Sequence, residues 1–427
     1  MIIDFTVENF RSIKSEQLLS LYAENKPKHH AGNIAYVGED LGVLKTCAIY
    51  GANAAGKTNI ILAIDALKKL IVDSGDLKDG DAMPGYEPYL LSAATRSAPT
   101  RFEIEFSIED VRYTYHIEFN QTEIIYERLD HYPGTRAANL FTRTSATDYK
   151  GMKFGEHYKG GKKQIAFFAN NAYLSKAGNT PDSPPVARKV FNYFRQNLKL
   201  MLVNKIIGVI DWNKDERIVS IMNQFLKKVD LGIDKFEMEK QEGISVDHLP
   251  EGMPEAFKKV LLAESAQKEV FYHTADDGKL VRFEKDNESM GTNKLFKLLP
   301  FFIRILSRGA ILFIDEIEGS FHPHIAALII KLFNDPLVNK NNAQLIFTTH
   351  DLSLMSPETM RKDQIYLTEK SVENGTELDC LENYESTLKD SSPFAKWYSE
   401  GRLGGIPTIH YRDIADSIKE AHKDAEA

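Results

Sequence analysis

The sequence predicts an α/β protein built on a doubly wound, mainly parallel sheet, with an antiparallel β subdomain and a helical insertion. Three observations carry this. An apolar stretch, Cys47-Ala48-Ile49-Tyr50, runs straight into Gly51-x-x-x-x-Gly56-Lys57-Thr58 and on into a helical pattern of Ile60, Ile61, Leu62, Ile64, Leu67 and Leu70. A continuous branched apolar run from Ala310 to Ile314, the mark of a strand buried on both faces, ends in Asp315-Glu316. Between them Phe102, Ile104, Phe106 and Ile108 alternate with polar residues, and Val111, Tyr113, Tyr115, Ile117 and Phe119 do so again after Glu109-Asp110, which reads as an antiparallel hairpin.

Taken in order, the chain opens with Ile3, Phe5 and Val7 alternating with polar residues and a basic turn, Phe10-Arg11-Ser12-Ile13-Lys14. This strand is expected to join the sheet that holds the Gly51–Thr58 loop. A polar loop with His29-His30 spans about residues 26 to 40. After the Gly/Asp loop from Gly75 to Gly85, the antiparallel block runs to about residue 155, with further strands at Ile124 to Leu129, Leu140 to Thr142 and Met152 to Phe154. From Pro184 to about Lys240 the apolar spacing is helical, without a sustained heptad. Short strands return at Glu269 to His273 and Leu280 to Phe283. The expected divisions are 1–160, 161–285 and 286–427.

Composition narrows the function. The chain has 427 residues, 43% of them hydrophobic, enough to bury a large core. The formal charge is −8, from 61 acidic and 53 basic residues, so no global positive field draws it to nucleic acid or an anionic membrane, although a local basic groove is compatible. Two cysteines leave no disulfide framework and no Cys-based zinc site. With neither a signal peptide nor an 18-residue apolar span, a cytoplasmic protein is expected.

The Gly51–Thr58 stretch, between strand and helix, has the context a P-loop requires. Gly51 and Gly56 let the loop turn sharply so that the amides of residues 51–59 (Gly51, Ala52, Asn53, Ala54, Ala55, Gly56, Lys57, Thr58 and Asn59) close on phosphate oxygens. Lys57 supplies a charge to the β- and γ-phosphates and Thr58 a hydroxyl to Mg²⁺. Asp315 is placed in the Mg²⁺ shell, and Glu316 beside it polarises the attacking water. Gln344 to Thr349 forms another buried strand that delivers His350 toward the γ-phosphate. Ser289, Gly291 and Thr292 start a helix (Leu295, Leu298, Leu299, Phe302) and offer hydroxyls and amides to an anion. Because residues 51–58 already surround the chain's own phosphates, this second helix start implies the nucleotide of a second subunit. Arg11 is a further nucleotide-binding candidate.

In this order the P-loop, the Ser-Met-Gly-Thr segment, Asp315-Glu316 and His350 resemble the ABC-type ATPase head of RecF, SMC and OLD proteins. The opening I-x-x-F-x-V-x-N-F-R-S-I-K, the stretch from Asp315 to Pro323, Thr348-Thr-His-Asp351, Arg361 to Tyr366 and Glu400 to Pro407 resemble more narrowly the stand-alone prokaryotic AAA ATPases of the RloA type, similar also to the ATPase half of PARIS defence systems. The resemblance implies ATP and Mg²⁺ as cofactors, a homodimer or higher oligomer sandwiching two ATP, and a separately encoded, nuclease-like effector in anti-phage defence. The signature is S-x-G-T, not the L-S-G-G-Q of transporters. No clear lobe-connecting glutamine is present; Asn170, Asn171 or Gln164 stands in its place. After His350 no Glu followed by an Asp-x-Asp strand end occurs, so no Toprim nuclease is expected. The alternative is a DNA-repair or DNA-structural ATPase of the RecF/SMC kind, for which DNA would be a partner.

Overall fold

The protein is described by a computed structural model, which covers residues 1–23, 29–144, 147–202, 215–229, 232–240, 265–320, 322–384, 388–406 and 410–426, with residues 212, 258 and 262. The start of the expected polar loop (26–28), Phe321 and Pro407 of the motif stretches, and parts of the expected insertion lie outside the described residues.

From the N-terminus, β1 (Ile2–Glu8) and β2 (Gln17–Ser20) precede a hairpin of β3 (Ile34–Val37) and β4 (Leu41–Leu44), then β5 (Thr46–Gly51) and α1 (Lys57–Asp73). Five strands follow: β6 (Thr100–Ile108), β7 (Val111–Phe119), β8 (Ile124–Tyr132), β9 (Ala138–Thr144) and β10 (Met152–Phe154). Next come α2 (Tyr173–Gly178), α3 (Pro185–Asn197), β11 (Leu198–Met201), α4 (Glu216–Lys228), β12 (Ile233–Lys240), β13 (Gln267–Thr274) and β14 (Leu280–Glu284). The last stretch holds α5 (Met290–Arg308), β15 (Ile311–Ile314), α6 (Ile317–Ser320), α7 (Pro323–Asn334), β16 (Gln344–Thr348), β17 (Ile365–Ser371), β18 (Gly375–Cys380), α8 (Phe394–Ser399) and α9 (Tyr411–Glu426).

The expected α/β architecture is present. One sheet has the order β11-β15-β16-β5-β17-β18 and is parallel except for its edge strand β18. Successive residues of its strands enter two different cores, as the pleat dictates. Cys47, Ile49, Ile311, Phe313 and Ile346 face α1 and the antiparallel sheet, whereas Ala48, Tyr50, Leu312, Ile314, Leu345 and Phe347 face α5 and α7. Both faces are therefore dry, which explains the unbroken apolar runs in the sequence.

The second sheet, β10-β9-β8-β7-β6-β1-β2, is antiparallel throughout. Its β6–β7 hairpin turns through Glu109 and Asp110, at φ 50° and 63°, the two left-handed residues that a tight two-residue hairpin needs. The expectation that the first strand joins the P-loop sheet is corrected here: β1 pairs with β2 and β6. The reason is legible in its alternation. Phe5 and Val7 are buried while Asp4, Thr6 and Glu8 are half-exposed, so β1 has one apolar face and suits a one-sided sheet. Gln344 links the sheets instead, accepting from the Ile2 amide at 2.6 Å and donating to the Ile2 and Leu44 carbonyls.

The helical reading of 184–240 holds for α3 and α4 but not for β11 and β12. Leu198, Leu200 and Met201 extend the parallel sheet beside β15, because that edge offers a ladder of unpaired backbone groups. With β13 and β14, β12 forms a three-stranded sheet, and its Phe236 and Phe271 pack with Met222 and Leu226 of α4 onto Phe296 and Leu299 of α5.

One buried ion pair anchors the antiparallel sheet to the loop before α2. Glu127 and Arg143 have fully buried side chains 3.7 Å apart. The Glu127 carboxylate accepts from Tyr115 and from the amides of Tyr173 and Leu174, and Arg143 donates to the carbonyls of Ala169 and Asn171. Replacing Arg143 with Met keeps volume but strands the carboxylate, so unfolding stability should drop by about 3–5 kcal/mol. Burial already raises the Glu127 pKa above its ordinary 4.5, with Arg143 opposing it. In Arg143→Met the folded state then binds more protons at Glu127 than the unfolded one, so relative to the parent the stability this carboxyl contributes is fully present below pH 4.5 and is lost as pH rises through the raised folded value. Denaturant unfolding across pH checks both the size and the slope.

Candidate functional site

The site forms where β5, β15 and β16 end together at the carboxyl edge of the parallel sheet, with β16 between the other two. The loop after β5 approaches its surroundings closely. A Cβ on Gly51, at φ 153°, would meet the Thr368 hydroxyl and carbonyl at 2.1 and 2.6 Å, and one on Gly56, at φ 107°, would meet the Thr376 hydroxyl at 2.1 Å. Only glycine fits either position. The loop is held from its flank: Thr376 donates to the Ala55 carbonyl at 2.9 Å, and Asn59 donates to the Ser12 hydroxyl at 2.6 Å.

Lys57 is buried, and its ammonium donates to the carbonyls of Gly51 and Ala52 at 2.9 and 3.1 Å. Burial lowers its pKa, and the carboxylates of Glu316, Glu318 and Asp315 oppose that shift. The Thr58 hydroxyl donates to the Asp315 carboxylate at 3.0 and 3.1 Å, which brings together two residues 257 positions apart. These are hard oxygen donors of the kind Mg²⁺ takes, so the donor set fits the ion; Thr58 and Asp315 would hold it, and it would neutralise charge on the β- and γ-phosphates.

Thr348, named above only as the start of the Thr348–Asp351 run and given no role there, orders the two acids. Its hydroxyl donates to Asp315 at 2.7 Å and accepts from the Glu316 amide at 2.7 Å. The signal was present in the Thr-Thr pair ahead of His350, but only the pairing of β15 with β16 gives it a partner. Glu316 sits at φ 52°, a left-handed conformation that is costly for a residue with a Cβ and is typical of functional turns. His350 follows β16, and its amide donates to Glu318 at 2.6 Å. Its imidazole pKa is lowered, first by burial and then by the charge of Lys57, against the opposing carboxylates of Glu318, Glu316 and Asp315, which favours the neutral ring.

The remaining candidates lie outside this hydrogen-bonded series. Ser289 caps α5, accepting from the Thr292 amide at 3.1 Å with the two hydroxyls 2.9 Å apart, and Ser289 and Gly291 are exposed. Lys294, one turn on, donates to the Gly319 carbonyl, so this helix start flanks the turn that carries Glu316. Arg11 pairs with Glu87 at 2.8 Å, while its neighbour Ser12 touches the loop. Asn170 and Asn171 do not serve the phosphate site. Their side chains donate to the carbonyls of Lys78 and Asp81 and of Ser74 and Leu77, just past the far end of α1, whose length puts them roughly 25 Å from the P-loop. Gln164 is exposed in the loop leading to the same region.

Strand order, P-loop and the Thr58–Asp315 contact define a P-loop nucleotide-binding protein of the ATPase class. Residues 47–356 match the family described as "AAA domain, putative AbiEii toxin, Type IV TA system", and the chain belongs to this AAA domain family. No curated protein matches it. Among solved structures it is similar to the SMC head domain from Thermotoga maritima, at 13% identity and a TM-score of 0.40 over 89% of this chain and 98% of that one. An SMC head bound to the C-terminal winged-helix domain of ScpA gives 13% identity and 0.40, over 90% and 99%. The head with an extended coiled coil from Pyrococcus furiosus gives 11% and 0.38, over 90% and 98%. No helix among the described residues is long and apolar enough to cross a membrane.

Proposed function

We propose that this chain binds and hydrolyses Mg-ATP, closes as a homodimer around two nucleotides, and uses that closure to control a separately encoded, nuclease-like effector in bacterial defence. The observation that carries the chemical part is the hydrogen-bonded series Thr58–Asp315–Thr348–Glu316 at the mouth of the P-loop. In it Lys57 and the loop amides bind the phosphates, Glu316 takes the proton of the attacking water, and His350 donates a hydrogen bond toward the γ-phosphate. The dimeric part is supported by the exposed start of α5, whose Ser289 and Gly291 face outward at a helix N-terminus suited to another copy's phosphates. The defence role is supported by the resemblance to RloA-type and PARIS ATPases and by the toxin–antitoxin wording of the family's description. Stimulation of turnover by a phage protein or by the partner nuclease would support it; stimulation by duplex DNA ends instead would favour a DNA-repair role.

Action in trans is open to a mixing experiment. Ser289→Arg should still bind ATP yet not hydrolyse it, and Lys57→Ala should do neither. A heterodimer of the two retains one complete site, so an equimolar mixture should regain about a quarter of parental turnover, since half of random dimers are mixed and each has one working site of two. No recovery at high protein concentration would count against sites shared between copies.

A further inference from the structure

The turn after Glu316 presents a third carboxylate to the site. Glu318 Oε1 accepts the His350 amide at 2.6 Å, across 32 residues of chain. The contact spans the two loops that carry Glu316 and His350. It is enforced from both sides: Ile317 is fully buried beneath the turn, and β15 and β16 are in register up to Ile314 and Phe347. The other carboxylate oxygen, Oε2, is buried without a hydrogen-bond partner among the described residues, and so are the Tyr50 hydroxyl and Asp351 Oδ2. Register places these groups at one strand end, because Thr348 pairs with Ile49 and the Thr349 amide bonds the Ile49 carbonyl. The Tyr50 hydroxyl is pushed well up by burial, with Asp351 and Glu318 adding to the shift.

We infer that Glu318 is a positioning residue for ATP hydrolysis: its bond to the His350 backbone fixes the imidazole relative to Glu316. The inference rests on the hydrolytic reading above. The bond needs an acceptor at this position and not a charge, which separates it from a general electrostatic role. Removing the acceptor frees the peptide that carries the imidazole, so the loss falls on turnover and not on nucleotide binding, which Lys57 and the loop amides supply.

Four variants decide it, each checked by thermal unfolding. Glu318→Ala should lower kcat by up to about tenfold, the upper end of what one ordinary hydrogen bond contributes, with KM for ATP changed by less than about threefold. Glu318→Gln keeps the acceptor and should stay within about threefold of the parent. Alanine at both 318 and 350 should be no slower than His350→Ala alone, because a residue acting only through another adds nothing once that one is gone. Parental turnover in Glu318→Ala, a Gln variant as slow as Ala, or additive losses would each overturn the assignment. A readout without turnover accompanies these. In protein labelled with ¹³C-histidine and free of nucleotide, read at a pH well above the ring's titration so that the charge of Glu318 does not enter, the His350 ring signal, identified by its loss in His350→Ala, should move in Glu318→Ala and hold in Glu318→Gln. A parent with no ATPase activity would sink the hydrolytic reading, and an unmoved His350 signal would sink the strut.

Discussion

Glu316→Gln is expected to slow ATP hydrolysis by about 10² to 10⁴ while leaving ATP affinity intact. Glutamine keeps the size and hydrogen-bonding shape of the side chain and removes only the base. The backbone that aims it is unaffected, since the left-handed conformation is held by the Thr348 hydroxyl on the Glu316 amide and by the Gly319 amide on the Glu316 carbonyl. Asp315→Asn is the informative contrast. It weakens the carboxylate that receives both Thr58 and Thr348, so Mg-ATP binding should fall together with turnover. If unhydrolysed γ-phosphates hold two copies together, Glu316→Gln with Mg-ATP should accumulate as a stable dimer in sedimentation while the parent returns to its resting assembly. Hydrolysis by Glu316→Gln at the parental rate would place the water-activating residue elsewhere.

Lys57→Ala should cut ATP affinity at least tenfold. The ammonium is buried, and its donors go to the Gly51 and Ala52 carbonyls, that is, to the loop itself. A γ-phosphate offers the same donors a charged acceptor, and such bonds are worth roughly 1.5–3 kcal/mol, or about ten- to a hundredfold in binding. The lowered pKa of Lys57, caused by burial against the opposing pull of Glu316, Glu318 and Asp315, marks an ammonium whose hydration has been removed in advance. Its loss also frees the loop carbonyls. Titration with a fluorescent ATP analogue measures this, and parental affinity in the variant would refute the phosphate-loop assignment.

Some of this was determined by the sequence alone. The strands at 46–51, 311–314 and 344–348 announce themselves by the apolar runs 47–50, 311–314 and 345–347, because a strand dry on both faces holds polar residues only where they are hydrogen-bonded, as Gln344 and Thr348 are. The hairpin at 100–119 shows its period of two because one face is wet. Gly51, Gly56, Lys57, Thr58, Asp315, Glu316 and His350 could be proposed from the sequence because loop geometry and phosphate chemistry restrict which residue types suit such positions, and the fold brings the ends of β5, β15 and β16 that carry them to one edge. What needed the tertiary structure were the relations between distant segments. Leu198 to Met201 carries an apolar pattern compatible with helix, and only the free edge of β15 makes it a strand. Asn170 and Asn171 look like polar residues available for a ligand until their amides are found spent on carbonyls beyond α1. Glu318 carries no local mark of the role proposed for it, and the Thr-Thr pair ahead of His350 marks Thr348 without saying what it meets. A hydroxyl or carboxylate acquires such a role from what lies across the neighbouring strand end, and that is set by the pairing order β15-β16-β5, which no local propensity encodes.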